Sequence, residues 1–320
     1  MRIPTDSSRH GYAPAVLLTS LAVAVCILAP SHPASTAAAS RETPAKAARA
    51  TGTWWKPGAA TLRWQWELDH PLNLASAADM ATSSRLPSGA AAPAPTVYDI
   101  DAIINPRSTI TALHAMGDRV ICYLTVGTAG NYYTAADEHV ARTYYAQLAA
   151  AHVLGRKVPG YPERFLDIRS AKTVSVIERM IADQCAAKGF DAVETDLDET
   201  YAGADGTTGF PLTQADEIRF MTTLANFMHA RGLAWIAKNP DDTGDSYATR
   251  IAPLADGVLT ESCNQFDTCS ALKAFLGHKA VFNAEYMLAP TAFCARDIQR
   301  QMNGVRFSVQ LDGSVRQPCQ

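Results

Sequence analysis

The sequence has no run of basic residues, and its 28 Lys and Arg are outnumbered by 31 Asp and Glu. With a net charge of −3 and a pI of about 6.2, it lacks the concentrated positive field that a nucleic-acid surface requires, so no nucleic-acid partner is expected. No C-x-x-C pair occurs. The six histidines beyond the N-terminal leader (His70, His114, His139, His152, His229 and His278) form neither H-x-H nor H-E-x-x-H. A zinc knuckle or a His-built catalytic metal is therefore not expected. A calcium loop over residues 198–205 would lack the EF-hand spacing. No G-x-G-x-x-G follows the first strand-like run, and there is no P-loop, which removes the usual dinucleotide and nucleotide cradles. The G-x-S-x-G elbow of serine hydrolases is missing too. The sequence thus implies neither a metal nor an organic cofactor.

What the chain does have is apolar content. Hydrophobic residues make up 48% of 320, enough for a full core of its own, and the length suits one α/β barrel behind a leader. Arg2, Arg9 and His10 precede an apolar run from Ala13 to Ala29, and small residues (Ala34, Ala37 to Ala39) follow. That order reads as a secretory signal peptide over residues 1–39, with an uncleaved signal anchor as the alternative. Val25 before Cys26 argues against a lipoprotein signal. Residues 40–52, Ala-rich and without an apolar stripe, read as a flexible linker, leaving 53–320 as a single domain. The chain is expected outside the cell, with no stable membrane partner once the signal is removed.

Six cysteines remain beyond the leader, and an even number in an exported chain suggests disulfides. Cys263 and Cys269, close in sequence, are the first pair expected. Cys294 with Cys319 and Cys122 with Cys185 follow by default. Two buried thiols at Cys122 and Cys185 remain the alternative.

Short β-rich runs alternate with longer amphipathic stretches. The runs are Leu62–Leu68, Val97–Ile103, Arg119–Gly127, Arg164–Ile168, Phe190–Leu197, Leu233–Asn239, Asp256–Cys263, Ala280–Tyr286 and Val305–Leu311. Helical spacing covers 135–151, 171–188, 213–231, 271–276 and 290–302, with Thr213 as a cap and Gly189 and Gly232 as stops. Such alternation implies βαβ units and a parallel sheet. We expect a (β/α)8 TIM-like barrel, with room for one extra strand. Nine runs against the eight a barrel uses leave one surplus, Arg164–Ile168 or an edge insertion.

Acidic and other polar residues gather where these runs end: Asp99 and Asp101, Asp167, Glu194 and Asp196, Lys238 and Asn239, Glu261, then Glu285 and Tyr286. In a barrel all such ends converge on one face, which holds the active site. Any one acid there has a plain alternative as a helix cap or loop residue; Asp198, Glu199, Asp241 and Asp242 are read that way. The same feature on five or six strands needs a functional reason, because an unpaired buried carboxylate costs several kcal/mol, roughly.

The ordered segments WQWEL, YDID, VICYLTVGT, FLDIR, GFDAVETDLDETY, KN, LTESC and VFNAEY, running from about Trp54 to Tyr286, resemble glycoside hydrolase family 114, the endo-α-1,4-polygalactosaminidases. The resemblance implies a (β/α)8-like barrel, sometimes with an extra strand, that cleaves α-1,4-linked galactosamine polymers. It implies Asp196 and Glu261 as the catalytic acids. Thr195 and Leu197 depart from the family's usual Pro and Asn, and Glu67 stands where Gln is common.

The chemistry agrees with that mapping. Glycosidic cleavage needs one carboxyl to protonate the leaving oxygen and another to attack or to activate water. Retention is favoured here, with Asp196 as nucleophile and Glu261 as acid/base; the reverse assignment stays open. Asp99, Asp101, Tyr123, Asp167, Glu194, Lys238, Asn239, Glu285 and Tyr286 are the candidate substrate contacts, the acids drawing an ammonium-bearing sugar. Lys238 is read foremost as an ion-pair partner for these acids. Trp64 and Trp66 lie on one strand face, as sugar platforms or, more simply, as core. Rivals are a carboxylate glycosidase for another α-glycan and a catalytically silent carbohydrate-binding barrel.

Overall fold

A computed structural model of the chain describes residues 53–130, 135–202 and 207–320. The expected signal peptide and linker lie outside them. The strands are β1 (Trp64–Glu67), β2 (Val97–Asp101), β3 (Arg119–Thr125), β4 (Thr128–Gly130), β5 (Leu154–Lys157), β6 (Glu163–Leu166), β7 (Ala192–Asp196), β8 (Ala234–Lys238), β9 (Gly257–Glu261), β10 (Ala280–Glu285), β11 (Asn303–Phe307) and β12 (Arg316–Pro318). The α-helices are α1 (Arg107–Ala115), α2 (Ala135–Ala150), α3 (Ala171–Met180), α4 (Gln214–His229), α5 (Asp245–Ile251), α6 (Cys263–Phe266) and α7 (Pro290–Gln299).

Nine strands form one sheet in the order β1-β2-β3-β7-β8-β9-β10-β11-β12. The first eight run parallel, and β12 turns back antiparallel to β11. The sheet curls into a nearly closed barrel. Across the seam the Arg316 guanidinium donates from Nε to the Trp64 carbonyl at 2.8 Å, and the Leu68 N–H donates to the Leu311 carbonyl at 2.9 Å. The surplus sequence run, Arg164–Ile168, is not a barrel strand. It becomes β6, the middle strand of a separate sheet with β4 and β5. The extra strand of the barrel is β12, three residues ending in proline, which carries no strand signal of its own.

Two apolar layers follow from strand alternation. Trp64, Trp66, Val97, Ile121, Ala192, Ile236, Leu259, Phe282, Val305 and Phe307 fill the barrel interior. Their intervening neighbours, such as Tyr98, Ile100, Val120, Val193, Trp235 and Val258, pack outward against the helices. Trp64 and Trp66 are therefore core residues, 0% and 1% exposed. Helix α4 starts as its sequence dictates, with a reciprocal capping box between Thr213 and Asp216. All three cysteine pairs are bonded: Cys122–Cys185, Cys263–Cys269 and Cys294–Cys319.

At the opposite end, where the strands begin, the N-terminal segment is clasped. Trp54 stacks on His229 at 4.1 Å and donates to Asp256 at 2.8 Å. His229, expected at the surface of α4, is half-buried and bonds Asp256 from its other side at 2.8 Å.

Candidate active site

The interior parity of the strands decides which polar side chains enter the barrel. Asp99 on β2, Tyr123 on β3, Glu194 and Asp196 on β7, Lys238 on β8 and Glu261 on β9 all share the inward register. Tyr286, one residue past β10, packs with the interior apolar cluster. At the C-terminal mouth the apolar filling gives way to these groups.

Lys238 stands at their centre. Its Nζ is 3.0 Å from Asp196 Oδ1, 3.2 Å from Glu194 Oε1 and 3.3 Å from Glu261 Oε2. Trp66 lies beside it, its ring centroid 4.9 Å from Nζ. Burial by itself would push the ammonium toward losing its proton. The charges of Asp196, Glu261 and Glu194 outweigh burial and hold it well above the ordinary lysine range, so the lysine is a cation.

Each outer carboxylate has further donors. The Tyr123 hydroxyl donates to Asp196 Oδ2 at 2.7 Å. Asn239 Nδ2 donates to Glu261 Oε2 at 3.0 Å, and the Tyr286 hydroxyl donates to Glu261 Oε1. Asn239 also accepts the Glu261 N–H at 2.8 Å, fixing strand end to strand end. The side chains of Asp196 and Glu261 are 21% and 24% exposed, against 3% for Lys238 and 0% for Glu194. Two carboxylates thus face the solvent, and the ion pairs that hold them lie beneath.

The backbone turns sharply at the same level. Leu197, Asn239 and Ser262 have φ of 57°, 45° and 58°, each directly after Asp196, Lys238 and Glu261. A left-handed conformation costs a residue such as leucine roughly 1–2 kcal/mol, and strain of this kind gathers at functional sites. The chain is bent where these three side chains must be aimed inward. Thr195 faces the helices instead: its hydroxyl donates to Asp198 at 2.6 Å and accepts from Trp235 at 2.7 Å. That departure from the family pattern lies behind the wall of the site.

Two partly exposed carboxylates on neighbouring groups at the mouth of a barrel are what glycosidic cleavage asks for. The sequence matches the description glycoside-hydrolase family GH114 over residues 43–320. The chain belongs to GH114. Among solved structures, Ega3 of Aspergillus fumigatus in complex with galactosamine is 26% identical, with a TM-score of 0.66; the match covers 82% of this chain and 97% of that one. The glycoside hydrolase domain of PelA from Pseudomonas aeruginosa, at 13% identity, TM-score 0.51 and coverage of 78% and 96%, shares the fold. No curated protein matches by sequence.

Within this GH114 barrel, Tyr123, Lys238, Asn239 and Tyr286 do gather around Asp196 and Glu261. Other expected contacts do not. Asp99 and Glu194 are fully buried, Glu194 against the Lys238 ammonium, and do not line the open mouth. Asp101 Oδ1 accepts the N–H groups of Ile103 and Ile104 at 2.7 and 3.0 Å, closing the turn after β2. Asp167 follows a strand of the side sheet rather than the barrel, and pairs in a fork with Arg169 at 2.8 and 2.9 Å. Glu285 has the outward parity of β10, and its carboxylate accepts the Asn264 N–H at 2.8 Å. Asp198 and Glu199 are not solvated loop residues but buried, 0% and 4% exposed.

One acid escaped the sequence reading. Glu163 on β6 accepts a hydrogen bond from the Thr128 hydroxyl. Gly130 opposite has no room for a side chain, since a Cβ there would lie 2.5 Å from Glu163 Cγ. Burial, offset by Thr128 and reinforced by the charge of Asp196, pushes the Glu163 carboxyl up to about 7. Its position depends on the antiparallel pairing of β4 with β6, which lie far apart in the chain, and no local pattern reveals that pairing. Among the described residues, no three His, Cys, Asp or Glu are placed to hold a metal ion, and no helix is long and apolar enough to cross a membrane.

Proposed function

We propose that the protein cleaves α-1,4-linked galactosamine polymers internally, by a double displacement using Asp196 and Glu261. The observation that carries this reading is the lysine they share. Asp196 Oδ1 and Glu261 Oε2 lie 3.0 and 3.3 Å from one nitrogen. Those facing oxygens are therefore closer than the roughly 6.5–9.5 Å that leaves room for an attacking water, which favours retention. Asp196, held by Tyr123, attacks the anomeric carbon. Glu261 gives its proton to the departing glycosidic oxygen, then deprotonates the water that releases the sugar from Asp196.

Substrate class is supported by charge and by likeness. Three carboxylates around one ammonium leave the mouth negative, which attracts a sugar carrying an ammonium group. Ega3, 26% identical, was solved with galactosamine. Three disulfides support action outside the reducing cytosol, and hence an exported chain whose residues 1–39 are a cleaved signal and 40–52 a linker.

The test is purified protein on deacetylated and acetylated galactosamine oligomers, with product sizes and anomeric configuration followed by NMR. Internal cuts in the deacetylated polymer with retained configuration are expected. Asp196→Asn and Glu261→Gln should each lose at least about a hundredfold. A polymer bound and never cut, or variants near the wild-type rate, would defeat the proposal.

A further inference from the structure

Beneath the two exposed carboxylates lies a pair that the reaction above does not use. Asp99 and Glu194 are both 0% exposed. Their carboxyls are in hydrogen-bonding contact with one another, and Glu194 Oε1 is 3.2 Å from Lys238 Nζ. All four of their oxygens are sealed from solvent, and Lys238 is the further hydrogen-bonding neighbour of Glu194. Two such buried carboxyls disfavour being anions together, because their charges repel with little screening. Burial first, then the charge of Glu194, pushes Asp99 well above the carboxylate range. Burial also raises Glu194, to about 7, but Lys238 works against that rise. Asp99 is therefore the carboxyl that keeps its proton longer and can donate to Glu194, and Glu194, facing the lysine, is the one that ionises first.

An ammonium has three N–H groups, and Lys238 has three carboxylates within 3.3 Å. Whatever charge Glu194 neutralises from below is withheld from Asp196 and Glu261 above. The Trp66 ring, the Tyr123 ring and the Tyr286 hydroxyl also surround the lysine and carry no full charge at neutral pH. The remaining acids that face the cluster are Asp242, toward Lys238 and Glu261, Asp241, toward Glu261, and Glu163, Asp198 and Glu199, toward Asp196; all are common to the wild type and a variant at Glu194.

We propose that Glu194, buried against Lys238 at 3.2 Å, is a positioning residue that sets how much of the Lys238 charge reaches Asp196 and Glu261, and so the pH range in which they work. This rests on their catalytic assignment above. Glu194 acts through the lysine and never meets the sugar.

The experiment is Glu194→Gln, which keeps the shape and removes the charge. With Lys238 uncompensated, both exposed carboxylates ionise more readily. The whole kcat/KM profile against pH should move to lower pH by about one unit, the scale of a full charge at this range. Asp99→Leu, which strips Glu194 of its donor and so favours its neutral form, should move the profile the same way. Asp99→Asn keeps a donor and should move it less than half as far as Asp99→Leu; this pair also carries the test if Glu194→Gln does not fold. A raised KM with an unmoved profile would make Glu194 a substrate contact, and a lowered Tm with an unmoved profile would make it merely structural. Either result overturns the proposal, as do equal shifts for Asp99→Leu and Asp99→Asn. A readout free of catalysis separates this from failure of the proposed activity. The 13C titration of the labelled Glu261 carboxyl should have a lower midpoint in Glu194→Gln than in the wild type, whether or not any polymer is cut, and an equal or higher midpoint sinks the idea.

Discussion

Lys238 Nζ and Asp196 Oδ1 form an ion pair 3.0 Å long, in which the lysine is buried and the carboxylate partly open. The pair is asymmetric in consequence. Asp196 can recover water if the lysine is lost, but Glu194, 0% exposed, cannot. Replacing Lys238 with Met preserves the stem and removes the charge. Breaking a buried pair from one side costs roughly 3–5 kcal/mol, so Lys238→Met should lose that much stability in urea titrations near neutral pH. The deficit should shrink in mild acid, where Glu194 takes up a proton. A deficit independent of pH would mean that the lysine contributes packing rather than charge.

Many buried acids should also make the wild-type protein more stable in mild acid than at slightly alkaline pH. Burial, the largest cause in each, raises Glu67 to about 8, Glu163, Glu194 and Glu217 to about 7, and Asp242 to about 6. In an unfolded chain the same groups titrate near about 4. Between those limits the folded protein binds more protons than the unfolded one, so stability is fully present below about pH 4 and declines as pH rises to about 8. Asp79, Asp167, Asp216 and Asp312 pull the other way. Hydrogen bonds hold them low, outweighing burial in Asp79 and Asp312, and their contribution fails in stronger acid. Maximum stability is expected near about pH 4 to 5. Urea midpoints that stay flat or climb between about pH 5 and 8 would contradict this sign.

The barrel was largely legible because each of its eight parallel strands is a compact β-rich run bounded by a helix or turn. Legibility failed where structure depends on contacts distant in sequence. Strand β12 exists only because β11 and β1 leave a seam for it, and β4 pairs with β6 across more than thirty residues. Helix α1, with Thr109, Ile110 and Thr111, has too many β-branched residues to stand out from sequence. In the site, Asp196, Lys238 and Glu261 were recognisable as polar residues ending apolar strands. Glu285 could have been set aside by parity alone, since Phe282, Ala284 and Tyr286 share the opposite face. That Asp99 and Glu194 lie below Lys238 rather than beside it is a matter of depth in the barrel, and sequence alternation gives the face but not the depth.

Gly127, directly after β3 and its neighbour Val126, is where the wall and the side sheet meet. A Cβ at this position would lie 2.0 Å from the Leu197 carbonyl and 2.4 Å from Thr200 Cγ2. The first of these is backbone, so the Leu197 turn would have to move, carrying Asp196 with it. Gly127→Ala should therefore lower kcat by more than tenfold, roughly the cost of misplacing a reacting group by a fraction of an ångström, with a lower melting temperature. Gly160→Ala is the control, since its Cβ would meet nothing within 4 Å; although its φ of 81° makes alanine strained there, it should reduce stability without touching kcat.

Tyr123 and Tyr286 offer a way to separate the two carboxylates by role. Each hydroxyl donates to one of them: Tyr123 to Asp196 at 2.7 Å, Tyr286 to Glu261. Removing a hydrogen bond to a charged group costs about 1.5–3 kcal/mol, so either Tyr→Phe variant should lose at least about tenfold in kcat/KM on the natural polymer. The two should diverge on an oligomer ending in an aryl leaving group of low pKa. Such a group departs without a proton, so disturbing the general acid matters little, while disturbing the nucleophile matters as before. Tyr286→Phe is expected to recover to within about threefold of wild type on the aryl substrate, and Tyr123→Phe is not. Recovery of Tyr123→Phe alone would exchange the assignments, with Glu261 attacking and Asp196 protonating. Recovery of neither would mean that both tyrosines act on geometry shared by the two steps, through the lysine that both carboxylates touch.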